Sequence, residues 1–500
     1  MSEVLSPVRR WASLAVLVGA VLLLAIDATV LYLAVPSLTA ELSPTATQVL
    51  WIGDIYSLAL AGLLVTMGNL ADRIGRKKLL LIGAAAFGLA SALAAFAPSA
   101  EVLIAARLLL GVAGATIMPS TLSLIRNIFT DQIERTRAIA IWSAAAASGI
   151  ALGPLIGGAL LEHFWWGSVF LINLPVMLLV VVGGGRLLPE SRNPAPGRFD
   201  LISSGLSMLA IIPFVYTIKQ LTGGTFGPTA AVAIVVGVVG GVLFARRQRR
   251  TDAPMIDVNL FRNSAFSGAV LVNFVSVFAL SGVLFFFSQY LQLARELSPL
   301  QAGLAQLPAA LSAMAAVAVV GFLLTRLGRG RAIAVALVAG AVGLGLLAAL
   351  GSSEQLIWVL LAVVPLGVGI GVAETLSVDA VVSAVRPAKA GAAASVAETA
   401  YELGVALGIA VLGSVVTVFY RFDLSLPSDV AGDAARRAED SLASATAVLK
   451  SGSAALQAAQ EAFVSAMQVT TLIAGGVMVI AAIVAFTLIP NNKDAASAEH

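Results

Sequence analysis

Between Trp11 and Pro36 the chain reads WASLAVLVGAVLLLAIDATVLYLAVP, with a single ionisable side chain, Asp27. About 20 apolar residues cross a bilayer as a helix, so this run is long enough to span. It is too long for a signal-peptide core and no A-x-A site ends it, so it reads as a retained helix. A carboxylate inside such a helix costs roughly 2.5–3.5 kcal/mol on insertion scales, which makes Asp27 a functional candidate. Thirteen more apolar segments follow, at 47–69, 78–97, 101–127, 136–160, 168–188, 199–221, 227–246, 264–293, 299–325, 331–350, 355–384, 389–420 and 462–490. The expectation is an all-α polytopic membrane protein of fourteen spans. Composition agrees: 59% of residues are hydrophobic and 11% are charged, against about one quarter charged in a soluble domain.

Charge placement orders the spans. With the N-terminus inside, 23 of the 30 lysines and arginines fall on inner connections and six on outer ones, Lys219 among the latter. Arg107 lies within a span. That bias is the positive-inside pattern, so the sequence pI of 9.3 reports topology rather than nucleic-acid binding. Both termini are expected in the cytoplasm, and the membrane is expected to be a bacterial inner membrane. Gly68–Lys77 reads GNLADRIGRK and Gly321–Arg331 reads GFLLTRLGRGR. Gly68, Arg73, Gly75 and Arg76 match Gly321, Arg326, Gly328 and Arg329 at one offset of 253 residues. Each stretch follows the second helix of a six-helix set. The chain therefore divides into a six-helix half at 1–190, two inserted helices with a basic linker at 191–262, a second six-helix half at 263–490, and a cytoplasmic tail at 491–500. Such repeats are a transporter architecture with its site between the halves. The outer loop at 421–461 reads as two short amphipathic helices, either a solvated loop or an extracellular lid.

Several chemistries are excluded. There is no cysteine, and the two histidines, His163 and His500, are too few for a metal centre. No GxxxxGK[ST] phosphate loop, Ser/His/Asp set or appended soluble domain is present, which disfavours an ATP-driven pump, a membrane enzyme or a sensor. What remains is a charge pattern inside the membrane. Asp27, Asp54, Glu374, Asp379, Glu398 and Glu402 stand against one intramembrane base, Arg107. Carboxylates in excess suit a cationic ligand and protons. At ~1.5 Å per residue, Asp27, Asp54 and Arg107 share a depth in the outer half of the bilayer. Arg107 is expected to pair with one of these aspartates, leaving the other free. Glu398 and Glu402 are four apart and share a helix face. Two such carboxylates do not ionise together easily in a low dielectric, and that is the behaviour proton coupling needs. Glu374 and Asp379 fit an interfacial position near Arg386 as well as a site role. Trp51, Tyr56, Tyr401 and Phe286 could offer aromatic faces to cations, although packing is the plainer role for each.

Three stretches carry a family resemblance. GNLADRIGRK resembles the signature cytoplasmic loop of the major facilitator superfamily, which assigns Gly68, Asp72, Arg73, Gly75 and Arg76 to a gating motif. LIAARLLLGVAGA, 103–115, resembles that family's fourth-helix motif with its intramembrane arginine. GIALGPLIGG, 149–158, resembles the fifth-helix motif of its drug antiporters. Gly149, Gly153 and Gly157 lie on one helix face where a neighbouring backbone can approach, and Pro154 removes a helix hydrogen bond. Fourteen spans, with Asp27, Asp54 and ETAYELGVALGIAVLGS at 398–414, resemble the fourteen-helix drug:proton antiporters, nearest the quaternary-ammonium and dye exporters of the QacA, SmvA and LfrA type. Leu31 and Tyr32 stand where the wider family has Asn and Val, a departure that bears on cargo specificity. The resemblance implies a major facilitator fold and a monomer in the lipid bilayer with no nucleic-acid partner. It implies no enzyme activity and no cofactor, with H+ as the coupling ion. The expected function is proton-coupled export of lipophilic cationic drugs, dyes and quaternary ammonium compounds, with fluoroquinolones as further candidates, by alternating access. The rival reading is export of an endogenous metabolite or lipid, with drugs as incidental cargo.

Overall fold

The computed structural model describes residues 6–192, 200–222, 227–251, 254, 256–385, 390–428 and 430–491. The described part is helical, and fourteen helices are long and apolar enough to cross a membrane. In the N-terminal half these are α1 (Pro7–Leu42), α2 (Ala46–Ile74), α3 (Arg76–Ala95), α4 (Ala100–Ile128), α5 (Gln132–His163) and a sixth span broken into α6 (Ser168–Leu171) and α7 (Asn173–Leu187). The inserted pair is α8 (Leu201–Thr222) and α9 (Pro228–Arg250). The C-terminal half holds α10 (Ser264–Gln289), α11 (Pro299–Leu327), α12 (Arg329–Leu350), α13 (Leu356–Ser383) and α14 (Ala390–Asp423). The outer loop then forms α15 (Asp433–Asp440) and α16 (Leu442–Val448), and α17 (Ala454–Leu488) closes the half. The tail at 492–500, with Lys493, and the linker arginine Arg198 lie outside the described residues, as does Arg386.

The repeat extends beyond the loop that first showed it. α2 begins with a capping box, Thr45 with Gln48, and α11 begins with another, Ser298 with Gln301, again 253 residues apart. Each box satisfies the exposed N–H groups of a helix start at the outer surface. At the inner ends the same two helices stop at Gly75, φ 113°, and Gly328, φ 80°. That backbone region suits a residue without a Cβ.

A second match lies deeper. GIALGPLIGG at 149–158 aligns with GVALGIAVLG at 404–413 at an offset of 255 residues. A Cβ at Gly149, Gly153 or Gly157 would collide with Ala25, Thr29 or Val30 of α1. One at Gly404 or Gly408 would come within 2.8 or 2.3 Å of the carbonyl oxygens of Phe274 and Phe278 in α10. So α5 docks on α1 as α14 docks on α10. Lipid drives no hydrophobic association between helices, so close backbone approach through small residues supplies the packing.

The halves meet through α2 with α14 and α5 with α11, equivalent pairs under the repeat. Gly158 lies against Pro299 and Leu300, and Leu50 lies against Gly413. Gln292 donates to the Leu33 carbonyl at 3.1 Å, and the Leu300 N–H donates to Glu162 at 3.2 Å. The outer loop completes the seal: Asp440 accepts from the Ala46 N–H at 2.7 Å, and Arg437 reaches the Ser43 hydroxyl at 3.0 Å. Among the described residues, no hydrogen bond or ion pair joins the two halves toward the inner side.

Candidate functional site

Asp27 lies at the centre of a closed polar network. Arg107 of α4 holds its Oδ2 at 3.1 Å, with both side chains at most 1% exposed. Asn173, the first residue of α7, donates to Asp27 Oδ1 at 2.7 Å and to the Ser91 hydroxyl of α3 at 3.0 Å. Arg107 also donates through Nε to the Ile52 carbonyl at 3.2 Å and lies 4.7 Å above the Tyr56 ring. Five helices therefore converge on one neutralised pair. In a medium without water these bonds substitute for hydration, and a guanidinium with several donors can serve a carboxylate, a carbonyl and an aromatic face at once.

The other half of the sequence expectation needs correction, because Asp54 is not left free. Lys219 of α8 contacts both its carboxylate oxygens, at 2.6 and 2.8 Å, and both side chains are fully buried. The same ammonium lies 3.5 Å from the centre of the Trp51 ring. By sequence Lys219 belongs to the outer loops and Arg107 is the one intramembrane base. The structure makes Lys219 a second one. Its long stem turns the charge inward from the last turn of α8, as long basic side chains at helix ends do. Two lone charges of opposite sign at neighbouring depths were the signal available in the sequence.

The C-terminal half is different. Glu374 of α13 and Glu398 and Glu402 of α14 lie close enough for Glu374 to act on Glu398 and for Glu398 to act on Glu402. Glu402 is buried, with the Ser57 hydroxyl of α2 in hydrogen-bonding reach. Glu374 and Glu398 are half-buried. Among the described residues, none of the three has a basic partner. Tyr401 is half-buried within electrostatic range of all three. Tyr32 and Tyr56 lie within range of both Glu402 and Arg107, linking the cluster to the Asp27 network. In the sequence Tyr32 stands out only as a departure from the family pattern. Asp379 stands apart from the site, paired with Arg329 at 2.7 Å and half exposed.

The remaining candidates fall into place by contact. Asp72 pairs with Arg76 at 2.8 Å inside the gating loop. Gly75 packs on the Glu190 carboxylate, which also accepts from the Lys77 N–H at 3.2 Å. The Arg76 N–H bonds the Ser191 carbonyl at 2.9 Å, while Arg73 is exposed. Each of these partners lies at or beside the inner end of the N-terminal half. Gly68 faces Pro119 of α4, and the Pro154 carbonyl sits against Gly303 of α11. Of the aromatic candidates, Tyr401 faces the glutamates. Trp51 is occupied by Lys219 and Tyr56 by Arg107, so neither offers a free face. Phe286 lines a small cavity near the outer surface with Leu50, Gln289, Thr417 and Asp440, away from the glutamates. At the inner ends of the inserted pair, burial raises Asp200. The Arg247 guanidinium and the Ser203 hydroxyl and N–H outweigh that and hold it at about 2.

Comparison with known proteins shows the family and the fold. The family profile described as Major Facilitator Superfamily matches residues 17–409. The multidrug efflux pump LfrA of Mycolicibacterium smegmatis is 47% identical over 484 residues, 96% of each chain. The methyl viologen resistance protein SmvA of Salmonella typhimurium is 36% identical over 489 residues, 95% of this chain and 97% of that one. A solved bacterial homolog of the human lysosomal transporter Spinster, inward-facing and occupied, superposes with a TM-score of 0.66. It has 16% identity and covers 97% of this chain and 98% of its own, a likeness of fold alone.

Proposed function

The chain belongs to the major facilitator superfamily, and on that premise we propose that it is a proton-coupled antiporter exporting lipophilic cations. Its cargo class is dyes, quaternary ammonium compounds and related drugs. It works in a bacterial inner membrane, as a monomer with both termini cytoplasmic, and H+ is the coupling ion. The observation that carries this reading is the uneven distribution of intramembrane charge. Both acids of the N-terminal half have a base, Arg107 for Asp27 and Lys219 for Asp54. The three glutamates of the C-terminal half have none among the described residues. Carboxylates without counter-ions in a membrane call for a cation or a proton. The names of the relatives, a multidrug efflux pump and a methyl viologen resistance protein, support the cargo class.

The mechanism follows from the two ends of the molecule. When the inner side opens, a lipophilic cation reaches Glu374 and Glu398 from the cytoplasm or inner leaflet, with the Tyr401 face beside them. Its charge offsets the repulsion among the glutamates. When the outer contacts open and the inner ends close, protons from outside replace the cation on the same carboxylates. The neutral cluster then lets the halves return. Asp27, held by Arg107 and Asn173, is a fixed charge that shapes the site rather than the group that exchanges. Exchange of one proton for one monovalent cation is electroneutral, whereas a second proton adds ~2.3 kcal/mol per 100 mV of membrane potential. The test is ethidium accumulation in inside-out vesicles with an acidified lumen. Accumulation should vanish when the pH gradient is collapsed with nigericin. Accumulation that survives the collapse removes proton coupling, and the absence of any cation uptake removes the cargo class.

A further inference from the structure

The inserted helix α8 touches both moving halves, packing on α2 of one and α14 of the other. Its attachments to α2 include polar ones and run along the helix. Lys219 reaches Asp54 at 2.6 Å and lies over Trp51 at 3.5 Å. Met208 packs on the face of Gly62, with its Cγ 2.9 Å from where a Cβ would stand. The Ser204 and Thr66 hydroxyls share a hydrogen bond nearer the inner end. Val215 of α8 packs in one apolar cluster with Ala406 and Ala410 of α14 and with Ile55 and Leu58 of α2. The contact with α2 carries a buried ion pair and a hydrogen bond besides: an ion pair is directional and holds one register, whereas the small side chains of Ala406 and Ala410 allow sliding. α9 packs chiefly on α8 and is tied to it by Arg247 and Asp200 at 2.9 Å. It moves where α8 moves.

We propose that Lys219 is a positioning residue that locks the inserted pair α8–α9 to the N-terminal half through Asp54, so that α14 slides past α2 and α8 as one surface during transport. This rests on the alternating-access reading above. It assigns Asp54 to holding the moving unit together, and it places the sliding seam between Val215 and the Ala406–Ala410 face.

The chain has no cysteine, so introduced pairs form defined cross-links. Gly62→Cys with Met208→Cys links α2 to α8. Val215→Cys with Ala410→Cys links α8 to α14. The first pair should oxidise in most molecules and leave ethidium efflux intact. The second should stop efflux when oxidised and release it on reduction. Efflux blocked by the α2–α8 link, or unaffected by the α8–α14 link, overturns the proposal. Lys219 is tested by cross-link yield per molecule in non-energised membranes, a readout independent of cargo and protons. Lys219→Met should lower the α2–α8 yield at least threefold, while Lys219→Arg and the exchanged pair Asp54→Lys with Lys219→Asp should restore it. An unchanged yield in Lys219→Met refutes the lock even if efflux proves to be driven otherwise.

Discussion

Replacing Glu402 by Gln separates the site from the scaffold. The change keeps side-chain size, and the Ser57 hydroxyl near it can still hydrogen-bond the amide. What is lost is a charge on the buried face of α14. A cation held about 5 Å from that carboxylate gains about 3 kcal/mol at an effective dielectric of 20, which is about a hundredfold in Kd. Glu398, about 6 Å away on the same helix face, and Glu374 recover part of this. The expected weakening of tetraphenylphosphonium or ethidium binding in Glu402→Gln is therefore ten- to a hundredfold, and Glu398→Gln with Glu402→Gln should abolish it. Binding is measured on detergent-solubilised protein at neutral pH, and proton release on cargo addition is measured in weak buffer. The wild type should release protons as the cation binds, and the double variant should release none. If the double variant binds the cation within threefold of wild type and still releases protons, the glutamate cluster is not the exchange site.

Two further expectations concern the scaffold. Arg107→Met leaves Asp27 buried without its base, and breaking a buried pair costs about 3–5 kcal/mol. The level of folded protein in membranes should fall sharply, whereas Asp27→Asn with Arg107→Met should recover it by removing both charges, as seen by size-exclusion chromatography of a fluorescent fusion. Gly408→Val forces a side chain against the Phe278 carbonyl, 2.3 Å from the Cβ position, whereas nothing lies within 4 Å of Gly476. Overpacking of this kind costs about 1–3 kcal/mol, so Gly408→Val should lower the melting temperature in detergent and abolish efflux while Gly476→Val does neither. Equal melting temperatures would remove the close-approach argument for the α10–α14 contact.

The architecture was legible in the sequence because its determinants are local and repeated. Span length, the inner excess of Arg and Lys, and the loop repeat each report on a short stretch of chain. The fifth-helix glycines were legible for the same reason, since spacing along one helix names a face without naming its partner. Pairing between helices was not. Asp54 gives no sign of whether Arg107 or Lys219 will reach it, because the outcome depends on α8 docking beside α2. Lys219, at the end of its span, carries the same local signature as a loop lysine. Asn173 and Ser57 carry no sequence signal at all, as single polar residues in apolar runs are usually bonded to their own backbone. Tyr32 was visible only as a departure from a pattern, and it lies between the two charged centres.

The repeat is kept in the mechanics and broken in the chemistry. The capping boxes, the glycines at Gly75 and Gly328, and the paired motifs at 149–158 and 404–413 preserve matching helix contacts in both halves. Rocking of one half against the other requires such equivalence, because both seams must open at one end while closing at the other. The ionisable groups obey no such symmetry. At the offset of 255 residues, Glu398 and Glu402 correspond to Ser143 and Ala147. A half whose acids are neutralised by fixed bases, Arg107 of α4 and Lys219 of the α8 docked on it, can move without exchanging charge, whereas a half with unpaired acids must bind something before it moves. The asymmetry therefore couples transport to occupancy: the glutamate cluster carries either the cation or the proton, and the N-terminal half, its charges satisfied, supplies the surface against which it turns.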